Sequence, residues 1–358
     1  MYDVFAGRRV LITGHTGFKG SWLAQVLIDA GADVTGYALE PEASSMFRAL
    51  DLESSCRSEI ADIRDAARVN EVVTATKPDF VFHLAAQPLV LDSYNDPIGT
   101  LSTNVMGTAN VLEALRLSAH PCVVVVVTSD KCYENREWVH AYRETDHLGG
   151  HDLYSASKGA AEIVVAAFRR SFFATSGQIR VATSRAGNVI GGGDWTQNRI
   201  VPDCIRSLRG GQPISVRNPN AIRPWQHVLD ALSGYLLLAT KLAGDDGASY
   251  CEAWNFGPAD EARSVRDLVS RVVARWGSGT WRAEPREQPH EAHLLRLAIE
   301  KAQVRLGWKP AWDFEAAVDH TVDWYKAADR MDAAALRELT RAQIAQHVRA
   351  EEASNDGR

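Results

Sequence analysis

Short apolar runs alternate with longer amphipathic stretches through the first half of the chain. Seven of these runs are short and rich in β-branched or aromatic residues, which is typical of strands. They occupy residues 8–14, 32–39, 58–63, 79–86, 122–129, 179–186 and 252–257. The run at 122–129 contains five consecutive valines and therefore predicts a strand that is buried on both faces.

Helical patterns separate the predicted strands, as in GSWLAQVLIDAG after the first strand and YSASKGAAEIVVAAFRRSFF before the sixth. Strands that alternate with amphipathic helices predict right-handed crossovers and a parallel sheet. The sequence therefore predicts an α/β protein with a Rossmann-like, doubly wound parallel sheet. In such folds, ligands bind beyond the carboxyl ends of the strands.

The pattern changes near Asn188, after which Gly, Pro, Asn and Arg are frequent and the periodicity is weak. We therefore expect a dinucleotide-binding domain followed by a smaller, mixed α/β substrate-binding lobe. The domain is expected to comprise residues 1–187 with a return segment at about 225–257, and the lobe residues 188–224 and 258–345. The charged and small residues of 346–358 predict a disordered tail.

Composition places the chain among ordinary globular proteins, with 358 residues of which 46% are hydrophobic and 23% charged. The formal net charge of −6, without a dense basic block, argues against nucleic acid or an anionic membrane as the main partner. Five scattered cysteines predict neither a metal site nor disulfides. The N-terminus lacks the pattern of a signal peptide, and no apolar run is long enough to span a bilayer. These features together predict a cytoplasmic protein.

Three glycines, Gly14, Gly17 and Gly20, stand directly between the first predicted strand and the first predicted helix. In that position, glycines permit a tight turn and let the backbone approach a pyrophosphate, which binds the free N–H groups of the helix N-terminus. The Gly-x-x-Gly-x-x-Gly spacing resembles the extended short-chain dehydrogenase/reductase superfamily.

The resemblance implies a nicotinamide dinucleotide as cofactor. It assigns cofactor contacts to Gly14, Thr16, Gly17, Phe18, Lys19, Gly20, Asp62, Ile63, Leu84, Ala85, Ala86, Gln87, Asn104, Thr128, Tyr154 and Lys158. Where relatives close the second strand with an acid that holds the ribose, this chain has Tyr37 and Ala38, with Glu40 slightly later. Because no arginine follows immediately to hold a 2′-phosphate, NAD is favoured over NADP. Asn104 matches a family position, and it could also cap the helix that follows.

Tyr154 and Lys158 are four residues apart at the start of a strongly helical stretch. This spacing puts both side chains on one helix face, with Cβ atoms about 5–6 Å apart. A lysine beside a tyrosine stabilises the phenolate, which gives a base usable near neutral pH. By resemblance, Tyr154 is the acid/base for a sugar hydroxyl, Lys158 holds the ribose, and Ser129 hydrogen-bonds the substrate carbinol.

Asp130 and Lys131 follow Ser129 at the end of the valine-rich strand. Nucleotide-sugar 4,6-dehydratases usually have Asp–Glu there, because elimination of water needs an acid at the 6-hydroxyl and a base at C5. Asp130 suits the acid if burial raises its pKa, and Lys131 suits the base if burial or neighbouring cations lower its pKa. The alternative is a solvated ion pair on a loop.

Several longer stretches between residues 8 and 325 resemble the CDP-glucose 4,6-dehydratase family, among them GHTGFKGSWLA, HLAAQPLV, TSDKCYENREW, RAGNVIGGGDW and RNPNAIRPWQHVLD. The resemblance implies conversion of CDP-D-glucose to CDP-4-keto-6-deoxy-D-glucose, a precursor of deoxy sugars. It also implies a homodimer built from the helices that start near Asn104 and Tyr154, and leaves open whether dimers pair into a tetramer.

Substrate contacts are predicted mainly in the second lobe, where arginines in loops suit a pyrophosphate. The predicted set is Gln87, Asn188, Arg199, Val201, Arg217, Arg223, His227 and His290.

Two other functions remain open from the sequence. An epimerase, or a dehydratase for another nucleotide sugar, would keep the fold and Tyr154 but change the substrate lobe. A non-catalytic dinucleotide sensor would keep only the fold. Asp130 argues against a plain epimerase, which needs no acid at C6, and the intact Tyr154–Lys158 pair argues against a sensor.

Overall fold

A seven-stranded parallel sheet forms the centre of the molecule, in the order β11-β6-β5-β4-β1-β2-β3. The computed structural model describes residues 2–259, 263–284 and 294–356. The strands are β1 Arg9–Thr13, β2 Asp33–Ala38, β3 Arg57–Ile60, β4 Phe80–His83, β5 Cys122–Val127, β6 Ile179–Arg185, β7 Val189–Ile190, β8 Ile214–Val216, β9 Ile222–Arg223, β10 Gln226–His227, β11 Ala253–Asn255, β12 Arg263–Ser264 and β13 Trp281–Ala283. The seven predicted strands are the seven strands of this sheet, so the predicted fold class is confirmed.

Helices connect the strands and cover both faces of the sheet. They are α1 Phe18–Asp29, α2 Met46–Ala49, α3 Ala66–Thr76, α4 Val90–Asn95, α5 Pro97–Leu101, α6 Gly107–Ser118, α7 Leu153–Phe168, α8 Ala174–Ser176, α9 Ile200–Arg209, α10 Val228–Ala243, α11 Val265–Trp276, α12 Phe314–Ala328 and α13 Ala333–Asp356. Short 3-10 turns cover Asp3–Phe5, Leu52–Ser54, Asp130–Cys132 and Gly247–Tyr250, and π-helical turns cover Ser102–Met106, Arg169–Phe173 and Ala302–Leu306. None of the helices in the described ranges is both long and apolar enough to cross a membrane.

Strand β5 lies between β4 and β6, and all six of its side chains are buried. Val123, Val125 and Val127 pack into one hydrophobic core, whereas Cys122, Val124 and Val126 pack into a second core on the opposite face. This alternation follows from the two-residue period of a strand. The continuous valine run is therefore explained by a strand with helices on both of its faces.

The second half of the chain adds smaller elements beside the carboxyl edge of the sheet. Strands β7 and β10 form a parallel pair, β9 and β12 an antiparallel pair, and β8 and β13 a parallel pair. Helices α9 and α11 pack against these short strands, while α10 and β11 return to the central sheet. Loops between these elements form one wall of the cavity described below.

The predicted disordered tail is wrong for residues 346–356, because α13 continues to Asp356. Its side chains at Thr340, Gln343, His347 and Glu351 are buried at helical spacing. His347 Nε2 lies 2.8 Å from Asp230 Oδ1 on α10. The composition of the segment was misleading because its buried side chains, His347 and Glu351, are polar.

Candidate active site

A cavity of about 600 Å³ opens at the carboxyl edge of the sheet. Its walls include most of the residues predicted to bind the cofactor or substrate. These are Gly14, Thr16, Gly17, Phe18, Lys19, Gly20, Asp62, Ile63, Leu84, Ala85, Ala86, Thr128, Ser129, Asp130, Lys131, Tyr154, Lys158, Asn188, Arg199, Val201, Arg217 and Arg223. Beyond this set, the cavity is also lined by Leu39, Arg64, Thr103 and Asp194, which the sequence did not single out.

The glycine turn brings backbone against backbone at the base of the cavity. Gly14 has φ +79°, and a Cβ there would lie 2.8 Å from the Ala85 amide nitrogen. A Cβ on Gly20 would lie 2.1 Å from the Gly14 carbonyl oxygen. Helix α1 begins at Phe18 with Gly17 as its N-cap, so its first amides are at the cavity. This close, side-chain-free approach to a helix N-terminus fits a dinucleotide pyrophosphate.

His83 helps to hold the loop after β4 against the glycine turn that follows β1. Its Nδ1 lies 2.7 Å from Thr13 Oγ1, and its Nε2 lies 3.0 Å from Thr108 Oγ1. Thr13 Oγ1 also accepts a bond from the Ala85 amide, at 3.2 Å. Burial, and secondarily the charge of Lys158, lowers the pKa of His83 to about 3. A neutral imidazole therefore joins the ends of β1 and β4 beside the cavity.

The Asp62 end of the cavity is organised by Tyr37 and Arg64. The Tyr37 hydroxyl donates to the Asp62 carbonyl oxygen at 2.8 Å. Arg64 Nε donates to the Asp62 carboxylate at 2.9 Å, and this contact is the main reason why the pKa of Asp62 lies below its usual value. Arg64 stands next to Asp62 and Ile63 in the sequence, but no sequence pattern indicated that it belongs to the site. The fold puts it on the cavity wall.

Gln87 and Asn104 do not line the cavity, although both were predicted to contact the cofactor and Gln87 also the substrate. Asn104 Oδ1 accepts from the Gln87 amide at 2.8 Å, and Asn104 Nδ2 donates to the Gln87 carbonyl and to Ser157 Oγ. Gln87 Nε2 in turn donates to Thr100 Oγ1 at 2.9 Å. Asn104 lies inside the helical turn Ser102–Met106 and does not cap a helix, so that alternative is wrong. Both side chains instead shape the loop after β4.

Tyr154 and Lys158 lie in the first turns of α7, whose N-cap Asp152 accepts from the Ser155 amide at 2.8 Å. Both side chains are buried. Burial raises the pKa of Tyr154 to about 12, which a hydrogen bond with Ser129 opposes and the charge of Asp130 increases. Burial lowers the pKa of Lys158 to about 8. The pair is therefore held in a dry site where charges interact strongly.

Ser129, Asp130 and Lys131 form a compact turn where β5 ends. Ser129 Oγ donates to Asp130 Oδ1 at 2.9 Å and accepts from the Lys131 amide at 3.2 Å. Asp130 is only 2% exposed, and its Oδ2 has no hydrogen-bond partner among the residues that the structure describes. The alternative of a solvated pair is therefore wrong for Asp130, whereas Lys131 is half-buried.

Gly187 provides the space for the Asp130 carboxyl group. A Cβ at Gly187 would lie 1.8 Å from Asp130 Oδ2 and 2.0 Å from its Cγ. The sequence could not reveal this requirement, because the two residues come together only when β5 and β6 pair. Gly187 is thus part of the site although it contributes no functional group.

Lys19 extends from α1 into the same cavity. Its Nζ lies 6.0 Å from the centre of the Tyr235 ring. Burial is the main cause that lowers the pKa of Lys19 to about 7, and the charges of Arg199 and Lys158 lower it further. Several cationic side chains therefore converge on the cavity.

The second-lobe wall carries Asn188, Arg199, Val201, Arg217 and Arg223. Arg199 Nη1 donates to Asp194 Oδ2 at 3.1 Å, and the Asp194 side chain is 5% exposed. Asp194 thus holds Arg199 at the cavity wall.

His227 lies apart from this group and does not line the cavity. It is fully buried, its Nδ1 accepts from the Leu229 amide at the start of α10, and its ring packs against Trp22 and Trp312. His290 lies outside the described residues. In the described part of the chain, no group of three His, Cys, Asp or Glu residues is placed to hold a metal ion.

Comparison with known proteins agrees with the geometry of this site. The profile of the GDP-mannose 4,6-dehydratase family matches residues 11–321. The chain belongs to this family, within the extended short-chain dehydrogenase/reductase superfamily.

Individual relatives narrow the comparison. The chain is 49% identical to CDP-glucose 4,6-dehydratase of Salmonella typhimurium over 332 residues, which cover 91% of this chain and 92% of the relative. It is 30% identical to dTDP-glucose 4,6-dehydratase of Mycolicibacterium smegmatis over 89% of this chain and 93% of the relative.

Two solved structures show the same fold at low identity. One is dTDP-glucose 4,6-dehydratase of Bacillus anthracis in complex with NAD, at TM-score 0.77 and 18% identity over 90% of this chain and 97% of that one. The other is UDP-glucose 4-epimerase of Thermotoga maritima with UDP-glucose, at TM-score 0.76 and 21% identity over 90% of this chain and all of that one.

Proposed function

We propose that the protein is an NAD-dependent hydro-lyase that converts CDP-D-glucose to CDP-4-keto-6-deoxy-D-glucose. The observation that carries this proposal is the buried Asp130 carboxyl group, held beside Ser129 and Tyr154 at the end of β5. The likeness to the CDP-glucose 4,6-dehydratase of Salmonella, at 49% identity over nearly the whole chain, supports the choice of nucleotide.

The glycine turn, Asp62 and Lys158 would hold the cofactor along the carboxyl edge of the sheet. Bound NAD would supply the acceptor for hydride from sugar C4 and the donor of the same hydride to C6. The loop at Leu84–Ala86 would lie beside the nicotinamide, because it packs on Gly14 across the ends of β1 and β4.

Tyr154 would remove the proton of the sugar 4-hydroxyl while Ser129 hydrogen-bonds the same oxygen. The phenol of Tyr154 has a raised pKa, so proton removal depends on positive charge near its oxygen. Lys158, one helical turn away and buried, is placed to provide that charge. Formation of the 4-ketone then acidifies the proton on C5.

Asp130 would protonate the departing 6-hydroxyl, and Lys131 would take the C5 proton, so that one water molecule leaves. As hydride adds to C6, Lys131 would return the proton to C5. Burial of Asp130, which is 2% exposed, keeps bulk water away from the acid. The Lys131 side chain is half-buried and lines the cavity, and it would act as the base in its neutral form.

We propose that residues 1–187 and 225–257 bind the cofactor, and that residues 188–224 and 258–345 bind the nucleotide sugar. Arg199, Arg217 and Arg223 support this division, because they reach the cavity from the second lobe. Guanidinium groups match the geometry of a diphosphate.

We further propose that the protein is a homodimer. Met106, Leu117 and Ile163, on or next to α6 and α7, have exposed fractions of 56%, 58% and 59%. Large apolar side chains clustered on two adjacent helices are typical of an interface. A cytoplasmic location is consistent with five cysteines that are all free.

The function can be tested with purified protein, NAD and four substrates: CDP-glucose, UDP-glucose, dTDP-glucose and GDP-mannose. We expect the alkali-induced chromophore of a 4-keto-6-deoxy sugar with CDP-glucose alone. Reaction only with another nucleotide sugar would contradict the proposed substrate. NAD binding without any reaction would favour the dinucleotide sensor instead, and 4-epimer formation without loss of water would favour an epimerase.

A further inference from the structure

Glu162 is a buried carboxylate with no role in the chemistry described above. It lies on α7, one turn after Lys158, and is 4% exposed. Its Oε1 accepts from Thr128 Oγ1 at 2.5 Å, and its Oε2 accepts from Thr183 Oγ1 at 2.7 Å and from Arg185 Nη2 at 2.8 Å. One side chain thus connects α7 with β6 and with the residue that follows β5.

These three contacts join the segment of Ser129 and Asp130 to the helix of Tyr154 and Lys158. Thr128 immediately precedes Ser129 and Asp130, so its hydroxyl fixes the end of β5. Arg185 ends β6 two residues before Gly187, the residue that makes room for Asp130. Glu162 itself shares α7 with Tyr154 and Lys158.

The ion pair between Glu162 and Arg185 is nearly inaccessible to water, with side-chain exposures of 3% for both residues. Arg185 Nη1 also donates to the Tyr133 hydroxyl at 2.8 Å, and that hydroxyl donates to Asn255 Oδ1 at 2.7 Å. Burying such a pair costs desolvation energy that its attraction often only offsets. Well-packed apolar residues could stabilise the fold equally well. Stability alone therefore does not explain why a buried ion pair is present at Glu162 and Arg185.

The charge of Glu162 also acts on Lys158. The groups that face Lys158 are Cys132 from the 3-10 turn, His83 from β4, Lys19 from α1 and Glu162 from its own helix. Burial lowers the pKa of Lys158, and Cys132 and Glu162 oppose that effect. Since the Cys132 thiol has a raised pKa and is neutral near pH 7, the carboxylate is the anion that keeps Lys158 protonated there.

We propose that Glu162 is a positioning residue, which holds Asp130 and the Tyr154–Lys158 pair in their reactive arrangement by joining α7 to the ends of β5 and β6. The inference rests on the proposed function, since it assigns Glu162 a part in that reaction. Glu162 does not touch the substrate and acts through Thr128, Arg185 and Lys158.

The first test is Glu162→Gln, measured with the sugar nucleotide that the protein turns over. We expect kcat to fall roughly 10- to 100-fold, as for small misplacements of catalytic groups, with KM changed by less than about threefold. The alkaline limb of the kcat profile should move to lower pH by about one unit, because Lys158 loses its stabilising charge. Unchanged kcat and an unmoved alkaline limb would overturn the proposal.

Two further variants separate positioning from stability. The double variant Glu162→Gln with Arg185→Gln removes both buried charges, so its melting temperature should exceed that of the single variant while kcat stays low. Recovery of kcat would show that an unpaired Arg185 caused the defect, and would overturn the proposal. Asp230→Asn changes an equally buried carboxylate away from the cavity, and should lower stability without moving the pH profile.

A measurement without substrate keeps this inference separate from the proposed function. Amide hydrogen exchange over residues 128–131 should be roughly tenfold faster in Glu162→Gln than in the parent protein, and unchanged in Asp230→Asn. Equal exchange in all three proteins would overturn the positioning role. If none of the four nucleotide sugars reacts, the proposed function fails, while faster exchange would still support the link between Glu162 and the end of β5.

Discussion

An acid catalyst needs a carboxyl group that is dry, fixed in orientation and able to reach the leaving group. Asp130 meets the first two conditions, because it is buried and because Ser129 Oγ holds its Oδ1 while Gly187 packs against its Oδ2. Its side chain also lines the cavity, where a sugar would be bound. Asp130 therefore has the burial, the fixed orientation and the access to the cavity that an acid catalyst needs.

Replacing Asp130 by Asn should separate the two halves of the reaction. Tyr154 can still remove the 4-hydroxyl proton, whereas an amide cannot protonate the departing 6-hydroxyl. We expect the near-ultraviolet absorbance of reduced nicotinamide to build up on the enzyme, with product formation reduced by roughly 100-fold or more. Turnover at the parent rate would remove Asp130 from the mechanism.

Gly187→Ala tests the space reserved for the acid. The new methyl group would lie 1.8 Å from the present position of Asp130 Oδ2, so the carboxyl group or the backbone must move. We expect kcat to fall roughly 100-fold, since displacements near 1 Å can have that effect. Gly257→Ala is the matched control, because Gly257 follows β11 as Gly187 follows β6 and its new Cβ would have 3.5 Å to its nearest neighbours. A similar loss in both variants would indicate a general effect on folding.

The four-residue spacing was sufficient to place Tyr154 and Lys158 on one face of a helix, because side chains four residues apart in a helix share a face. Local patterns were not sufficient for Gly187 or Glu162, whose roles depend on contacts between segments 57 and 34 residues apart in the chain. His227 shows the opposite error. It follows a basic, aromatic loop that suggested substrate binding, yet the fold uses it to cap α10.

At the scale of elements, period-two and helical patterns identified the strands of the central sheet to within a few residues. Strand β5, predicted at 122–129, ends at Val127 because Thr128 and Ser129 turn towards the cavity. Helix α13 was missed over its last residues, because the side chains buried there, His347 and Glu351, are polar and a hydrophobic pattern cannot reveal them. The contacts of α13 with α1, α10 and α12 explain why it is ordered.

His347→Ala tests whether the end of α13 stabilises the fold. The change removes the contact between His347 Nε2 and Asp230 Oδ1, which leaves a buried carboxylate with fewer partners. We expect the free energy of unfolding in urea to decrease by about 1–3 kcal/mol. Arg349→Ala, on an exposed position of the same helix, should change it by less than about 0.5 kcal/mol. Equal effects would mean that the buried contact contributes nothing.

For the whole molecule, the proposed dimer depends on the apolar surface of α6 and α7. Charged substitutions at Leu117 or Ile163 should prevent a second copy from covering it. We expect Ile163→Glu to sediment as a monomer at micromolar concentration, while the parent protein sediments as a dimer. Val304→Glu is the control, because Val304 is 83% exposed and lies on neither helix. A parent protein that is itself monomeric would refute the dimer.

Buried neutral histidines predict how the stability of the whole fold depends on pH. Burial lowers the pKa of His15 to about 4 and of His83 to about 3, and it holds that of His227 well below its usual value. Between about pH 6.5 and 4.5 the unfolded chain therefore binds protons at these positions that the folded protein does not. The contribution of these histidines to the free energy of unfolding is complete above the pKa that histidine has in the unfolded chain, and it is lost as the pH falls.

The free energy of unfolding should accordingly decrease with falling pH by up to about 1.4 kcal/mol per unit for each such histidine. Urea titrations across this range measure the slope. His227→Asn keeps an N-cap acceptor for the Leu229 amide but removes the titrating group, so its slope should be smaller by one such increment. An identical slope would show that His227 is protonated in the folded protein.

The position of the turn at Asp130–Cys132 has a consequence for evolution. The paired residues of the central strand end at Val127, and Asp130 and Lys131, which we propose determine the reaction, come after it. Asp130 and Lys131 could therefore be exchanged without repacking the sheet. An ancestor with this fold could diversify into dehydratases and epimerases through very few substitutions in this turn. The sequence of the core would be constrained only by the packing of the sheet and its helices.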